Sequence, residues 1–164
     1  MNRITDLIRL LDDPTAADAF DRAFGQPEPL SIHDSLLPHP DDQPYLLLEV
    51  VCDELAAIGP NARGAIPALL RCAEDMGSTT VARFMRLSAA RAVWKITGDP
   101  ALFIPICERL LADAECWFRR QVVEMIDEIG NPAALPALRQ RLADVRPEVR
   151  QAARRAMAKI GFTI

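Results

Sequence analysis

Two imidazoles lie close to three carboxylates in His33-Asp34 and His39-Pro40-Asp41-Asp42. Residues of these types can hold a divalent cation or move a proton. The histidines stand six apart in a proline-rich stretch, a spacing that matches no recognised metal or acid–base motif. Asp41 and Asp42 have a plainer use in capping the helix that follows. The four cysteines, Cys52, Cys72, Cys107 and Cys116, form no Cys-x-x-Cys pair, and no histidine lies at ligand spacing from them. Cys52, Cys72 and Cys107 sit among apolar helical residues and read as small hydrophobes in a reducing compartment. No catalytic constellation stands out, and no metal or cofactor is expected.

The last stretch concentrates positive charge in Arg139, Arg141, Arg146, Arg150, Arg154, Arg155 and Lys159. Such a run could neutralise phosphates. The chain as a whole carries net charge -4 and only 5% aromatic residues, which disfavours nucleic acid as the partner. The distribution says more than the total. Residues 1–60 hold 3 basic and 12 acidic side chains, residues 61–138 hold 9 of each, and residues 139–164 hold 7 basic and 2 acidic.

The elements that carry these residues repeat. Pro67 is followed by Asp75, Pro105 by Asp113 and Pro136 by Asp144, each time eight residues later. Ile58-Gly59, Ile96-Thr97-Gly98, Ile129-Gly130 and Ile160-Gly161 punctuate the same series. Helical spacing inside units of this length predicts a stack of helix pairs, an all-α solenoid of about four to five pairs. In such a stack sequence order is spatial order, so the two ends are expected to carry opposite fields.

At 164 residues, half of them apolar, the chain reads as a single domain over 1–164 with a continuous core. Ile4, Leu7, Ile8 and Leu11 mark an amphipathic first helix. Asp12-Asp13-Pro14-Thr15 ends it and caps a second helix that runs to Phe24. Residues 1–44 form an atypical N-terminal cap. Its part from 26 to 44 holds Pro27, Pro29, Pro38, Pro40 and Pro44 and is expected as a long loop with one helical turn at 32–37. Regular repeats occupy 45–161, with helices predicted over 45–58, 63–75, 79–97, 101–112, 115–129, 133–143 and 147–160. Asn61 is the expected cap of the second of these. Five extra residues between Asp75 and Arg86 must bulge from the stack or lengthen a helix. The longest apolar runs are too short to span a bilayer, and Met1-Asn2-Arg3-Ile4-Thr5-Asp6 lacks the pattern of a secretion signal. A cytoplasmic protein is expected.

The unit resembles a HEAT repeat, in the short bacterial form also found in phycobilin-lyase-like proteins. Pro105, Asp113, Arg119 and Gly130 carry the resemblance once, and Pro136, Asp144, Arg150 and Gly161 carry it again. Pro67, Asp75, Arg86 and Gly98 carry it with the insertion, and a weaker copy keeps Asp42 and Gly59 but has Leu48 in place of the arginine. The resemblance implies that Asp113, Arg119, Asp144 and Arg150 belong to a structural ladder between neighbouring units. It also implies that the longer helices line a concave face. Their outward positions, ten, six and two residues before the closing glycine, are Glu49, Asp53 and Ala57, then Leu87, Arg91 and Lys95 (shifted by Thr97), then Arg120, Glu124 and Glu128, then Gln151, Arg155 and Lys159, with Arg154 beside them. Trp117 is a further contact candidate because it lies near an element start, and Trp is common at binding hot spots. The expected function is a non-enzymatic protein–protein interaction module, of inhibitor, immunity or adaptor type, acting as a monomer or weak oligomer away from membranes. The alternatives are a nucleic-acid binder resembling HEAT-like DNA glycosylases in architecture, or a phycobilin-lyase-like enzyme.

Overall fold

The computed structural model describes residues 3–16, 23–24 and 43–162. Among them every regular element is helical. The fold is the all-α helix-pair architecture of a solenoid. The chain forms two compact units, Met1–Thr97 and Gly98–Ile164.

In the first unit, α1 spans Arg3–Asp12, α2 Gln43–Ile58, α3 Ile66–Glu74 and α4 Thr80–Thr97. A 3-10 segment, Gly59–Ala65, joins α2 to α3. Helix α4 packs along α2 and α3, while α1 covers α2, α3 and the 3-10 segment. The core between them is Leu7, Leu10, Val51, Leu55, Leu69, Met85, Val93 and Ile96. Ser88, Ala89 and Ala90 are buried on successive sides of α4, because small side chains let neighbouring backbones approach from more than one direction. Leu87 joins them at 5% exposed.

In the second unit, α5 spans Pro100–Leu110, α6 Cys116–Ile129, α7 Leu135–Arg141 and α8 Pro147–Lys159, with a 3-10 turn at Pro132–Ala134. Helix α6 packs on α5 and α8, and α7 packs on α5 and α8. Phe103, Ile106, Phe118, Val122, Met125, Ile126, Leu138, Val149, Ala153 and Met157 form the seam. Ile129, Leu142 and Ile160 are half-buried at its edges, and Leu70 is half-buried in the first unit.

The predicted long helices hold. The two short ones at 63–75 and 133–143 are shorter than expected. Pro67 and Pro136 lack the N–H that an α-helix interior needs, so the α-helix starts one residue before each proline and a 3-10 segment precedes it. Asn61 consequently caps nothing and lies inside the 3-10 segment. Helix α5 differs, because Asp99 caps it by accepting from Ala101 N at 2.8 Å and it runs through Pro105. The insertion lengthens a helix. α4 has 18 residues against 14 in α6, while the Thr79 hydroxyl caps it by accepting from Ala82 N at 3.1 Å. Of the predicted second helix only 23–24 lie among the described residues, where they are helical. The loop expected at 26–44 falls outside them except for Gln43 and Pro44, which open α2.

The closing glycines adopt left-handed backbone, with φ of +67° at Gly59, +60° at Gly98, +67° at Gly130 and +89° at Gly161. At Gly130 the amide donates to Ile126 O at 2.9 Å and a Cβ would meet nothing closer than Asp127 O at 3.9 Å. Space is therefore available and only the dihedral resists a side chain. Gly130→Ala is expected to cost about 1–2 kcal/mol, measured by urea unfolding. A change near zero would mean that the αL cap contributes nothing.

Candidate protein-binding faces

The ladder residues hold the second unit together through one repeated arrangement. Asp144 accepts from the backbone N–H of Arg146 at 3.0 Å, and Asp113 does the same for Glu115 at 2.8 Å. Each aspartate thereby closes the tight turn before its long helix. Six residues on, the arginine reaches back to the turn. Arg119 Nη1 donates to Asp113 O and Ala114 O at 2.8 and 2.9 Å. Arg150 Nη1 donates to Asp144 O and Val145 O at 2.7 and 3.1 Å. The other edge of Arg119 forms a bidentate pair with Asp144, Nε to Oδ2 and Nη2 to Oδ1, both at 2.8 Å. Arg119 thus takes its carboxylate from the following repeat, and Asp113 does not serve as that partner.

Both side chains of the pair are buried, at 8% and 3% exposed. Arg119 holds the Asp144 carboxyl below the usual carboxylate range, by hydrogen bonding first, against the opposing effect of burial. The same bond raises Arg119. A cavity of about 330 Å³ opens beside the pair, lined by Asp113, Arg119, Gln140, Arg141 and Asp144 among others. Arg141 spans it, donating from Nη1 to Leu111 O at 2.9 Å and standing 3.7 Å from Asp144 Oδ2. The charges here are matched to one another, and the arrangement serves register.

The outward face of the long helices divides into committed and available charges. On α6, Arg120 Nε donates to Glu124 Oε1 at 2.8 Å and Gln121 Nε2 to Glu124 Oε2 at 3.0 Å. On α8, Lys159 Nζ donates to Asp127 O at 2.8 Å and forms an ion pair at 3.5 Å with Asp127 Oδ1. Glu128 and Arg91 also have partners. Arg155, Gln151 and Arg154 are exposed. Of these, Arg155 lines a groove of about 340 Å³ between α6 and α8, together with Val123, Glu124, Asp127, Glu128 and Ala152. Arg154 is exposed but not part of that lining. Trp117 is half-buried and meets the Phe118 ring edge-on, with centroids 5.8 Å apart and planes at 69°.

In the first unit Asp53, Ala57 and Lys95 are exposed, while Glu49 and Arg91 are half-buried. Burial pushes the Glu49 carboxyl up, and the nearby Asp53 charge adds to the effect. Leu87, expected on this face, is instead buried. The α4 turn that carries it is enclosed, as the run of small residues after it permits. Four residues were missed by reading three positions per helix. Asp127 lines the α6–α8 groove, and Leu46, Val50 and Phe84 are exposed large apolar side chains in the first unit. A signal for Leu46 and Val50 was present, since Leu46, Val50, Asp53 and Ala57 continue one helical stripe toward the N-terminus.

Cys52, Cys72 and Cys107 are buried free thiols and Cys116 is half-buried. Cys52 and Cys72 hydrogen-bond to each other, which raises Cys52, and burial pushes Cys107 well up. These groups pack as hydrophobes. Among the described residues no group of three or more His, Cys, Asp and Glu side chains could hold a metal ion. His33, His39 and the aspartates near them lie outside those residues. Among the described residues no helix is long and apolar enough to cross a membrane.

Comparison with protein families matches residues 104–162 to HEAT repeats. The second unit is similar to HEAT repeats. The match covers the part of the chain in which the Pro, Asp, Arg and Gly framework recurs most regularly. No curated protein matches the sequence. HEAT repeats mediate protein–protein interactions through extended surfaces of stacked helices, and they generally serve as non-enzymatic scaffolds.

Proposed function

We propose that this chain is a non-enzymatic, cytoplasmic protein-binding module whose long helices present charge to a folded partner. Within that class we read it as an inhibitor or immunity-type protein that masks its partner, or as an adaptor. The observation that carries the reading is the α6–α8 groove. Its glutamates and Asp127 form one wall and Arg155 stands on the other. Among the described residues no ion pair holds the Arg155 guanidinium, so its charge is available for recognition. Charge arranged this way contributes specificity and encounter rate more than raw affinity.

The test is a pair of charge reversals, Arg155→Glu and Lys159→Glu, in the full chain. Partners retained from native lysate are quantified for each variant, beside a thermal melt. Both variants should weaken the specific partner about tenfold or more. Arg155→Glu should leave the melt nearly unchanged, because the side chain is exposed and has no hydrogen-bond or ion-pair partner among the described residues. Lys159→Glu should lower it slightly through loss of the Asp127 tie. Unchanged retention would remove the α6–α8 face from the binding surface. Duplex DNA binding that collapses with added salt would replace the protein-binding reading with a nucleic-acid one.

A further inference from the structure

All four cysteines are free thiols, and two of them meet. Cys52 lies on α2 and Cys72 on α3, twenty residues apart in sequence and within the first unit. The Cys52 thiol donates a hydrogen bond to the Cys72 sulfur. Such a bond requires the two sulfurs to be in contact, so one thiol from each helix faces the other. Cys52 is 0% exposed and Cys72 6%. Val51 and Leu55 on α2, and Leu69 and Ala73 on α3, are buried as well. In the reduced chain both cysteines therefore pack as core side chains, and Cys72 is the one that a small reagent reaches.

The two sulfurs are not equivalent. The hydrogen bond from Cys52 lowers the Cys72 thiol, against burial, and the neighbouring Arg71 cation adds to the lowering while Asp75 and Asp12 oppose it. The same hydrogen bond raises Cys52, and burial adds to that. The thiolate is the nucleophilic form of cysteine. Cys72 is thus the attacking sulfur and Cys52 the sulfur placed to resolve what Cys72 becomes. At Cys107 burial, with Glu108 adding to it, raises the thiol instead.

We infer that Cys52 and Cys72 form a reversible redox site, closed by a peroxide to a disulfide between α2 and α3. The Cys72 thiolate attacks one oxygen of hydrogen peroxide. The O–O bond breaks, Cys72 becomes a sulfenic acid, and the departing hydroxide is protonated to water. The Cys52 sulfur then attacks the Cys72 sulfur. The S–O bond breaks, and a second water leaves with the Cys52 proton. Together the two thiols lose two electrons and two protons, and one peroxide is reduced to two waters. A dithiol reductant reopens the bond by thiol–disulfide exchange. The disulfide closes a loop that contains the 3-10 segment Gly59–Ala65 and fixes α2 to α3 covalently. In a reducing compartment a bond of this kind is transient and suits redox sensing. The inference does not depend on the protein-binding reading.

The full chain is treated with hydrogen peroxide, alkylated in denaturant, digested with trypsin and mapped by mass spectrometry without reduction. The expected product is a disulfide-linked pair of peptides, one holding Cys52 and the other Cys72. Titratable thiols should fall from four per chain to two, and dithiothreitol should restore all four. In Cys52→Ala, Cys72 should be recovered as a sulfenic acid trapped by dimedone. In Cys72→Ala, Cys52 should stay a thiol under the same treatment. The map of the unaltered chain requires neither variant to fold. Recovery of Cys52 and Cys72 as alkylated thiols while Cys116 is oxidised overturns the inference. So does a disulfide that joins either of them to Cys107, to Cys116 or to a second chain. Oxidation of Cys52 in Cys72→Ala, at the rate seen in the unaltered chain, removes Cys72 as the attacking sulfur and the inference with it.

Discussion

Asp144→Ala is expected to lower the unfolding free energy of the second unit by about 3–5 kcal/mol. The cause is the guanidinium left behind. Arg119 would keep its bonds to Asp113 O and Ala114 O but lose both charge-assisted bonds to the carboxylate, with its side chain only 8% exposed. The turn before α8 would also lose its acceptor for Arg146 N–H. Arg119→Ala should be comparably damaging, since it strands the carboxylate. The double variant should cost less than the two singles together, because it leaves no buried charge unmatched. Urea unfolding of the three variants measures this. A single-variant loss under about 1 kcal/mol would place the pair in the class of surface ion pairs.

The same pair sets an acid limit. The folded-state pKa of Asp144 lies below its unfolded value, so the folded state holds the proton less tightly. The resulting stabilisation is fully present above the unfolded pKa of about 3.9 and is lost as pH falls through the lower folded value. Stability should therefore decline as pH falls below about 4, and Asp144→Asn should flatten the part of that decline due to this group. An unchanged acid limb in Asp144→Asn would assign the decline to other carboxylates.

Much of the helix order was legible because three devices recur at fixed spacing. Glycines with positive φ close the long helices, prolines restart the short ones, and aspartates close the turns between them. What periodicity could not supply was each side chain's partner. Spacing places Asp113 and Arg119 six residues apart and offers no reason to prefer Asp144, 25 residues on, as the carboxylate. The pairing depends on how successive hairpins stack. Leu87 failed for a related reason. Its helix position faces outward by register, but Ser88, Ala89 and Ala90 admit close neighbours, and enclosure is a property of those neighbours. Availability was equally hidden. Glu124 and Arg155 read alike as charged outward positions, yet Glu124 is held by Arg120 and Gln121 on its own helix while Arg155 lines the groove with no ion pair among the described residues.

Adjacent aromatic residues at the start of α6 give the sharpest separation of packing from recognition. Phe118 is fully buried and Trp117 is half-buried, although their rings touch edge-on. Phe118→Ala should open a cavity in the seam of the second unit and cost about 3–5 kcal/mol. Collapse of α6 onto the gap is resisted by Arg119, which is fixed by four hydrogen bonds to turns and to Asp144. Trp117 lies on the stripe that continues through Gln121, Glu124 and Glu128. Trp117→Ala should cost only about 1 kcal/mol of stability, while weakening the partner about tenfold or more as a hot-spot truncation. Unfolding curves and partner retention measured on the same two variants decide between the roles. Should Trp117→Ala unfold the chain as readily as Phe118→Ala, Trp117 is a packing residue and the contact assignment is lost. A Trp117→Ala chain that keeps both its fold and its partner would confine recognition to the charged positions around Arg155.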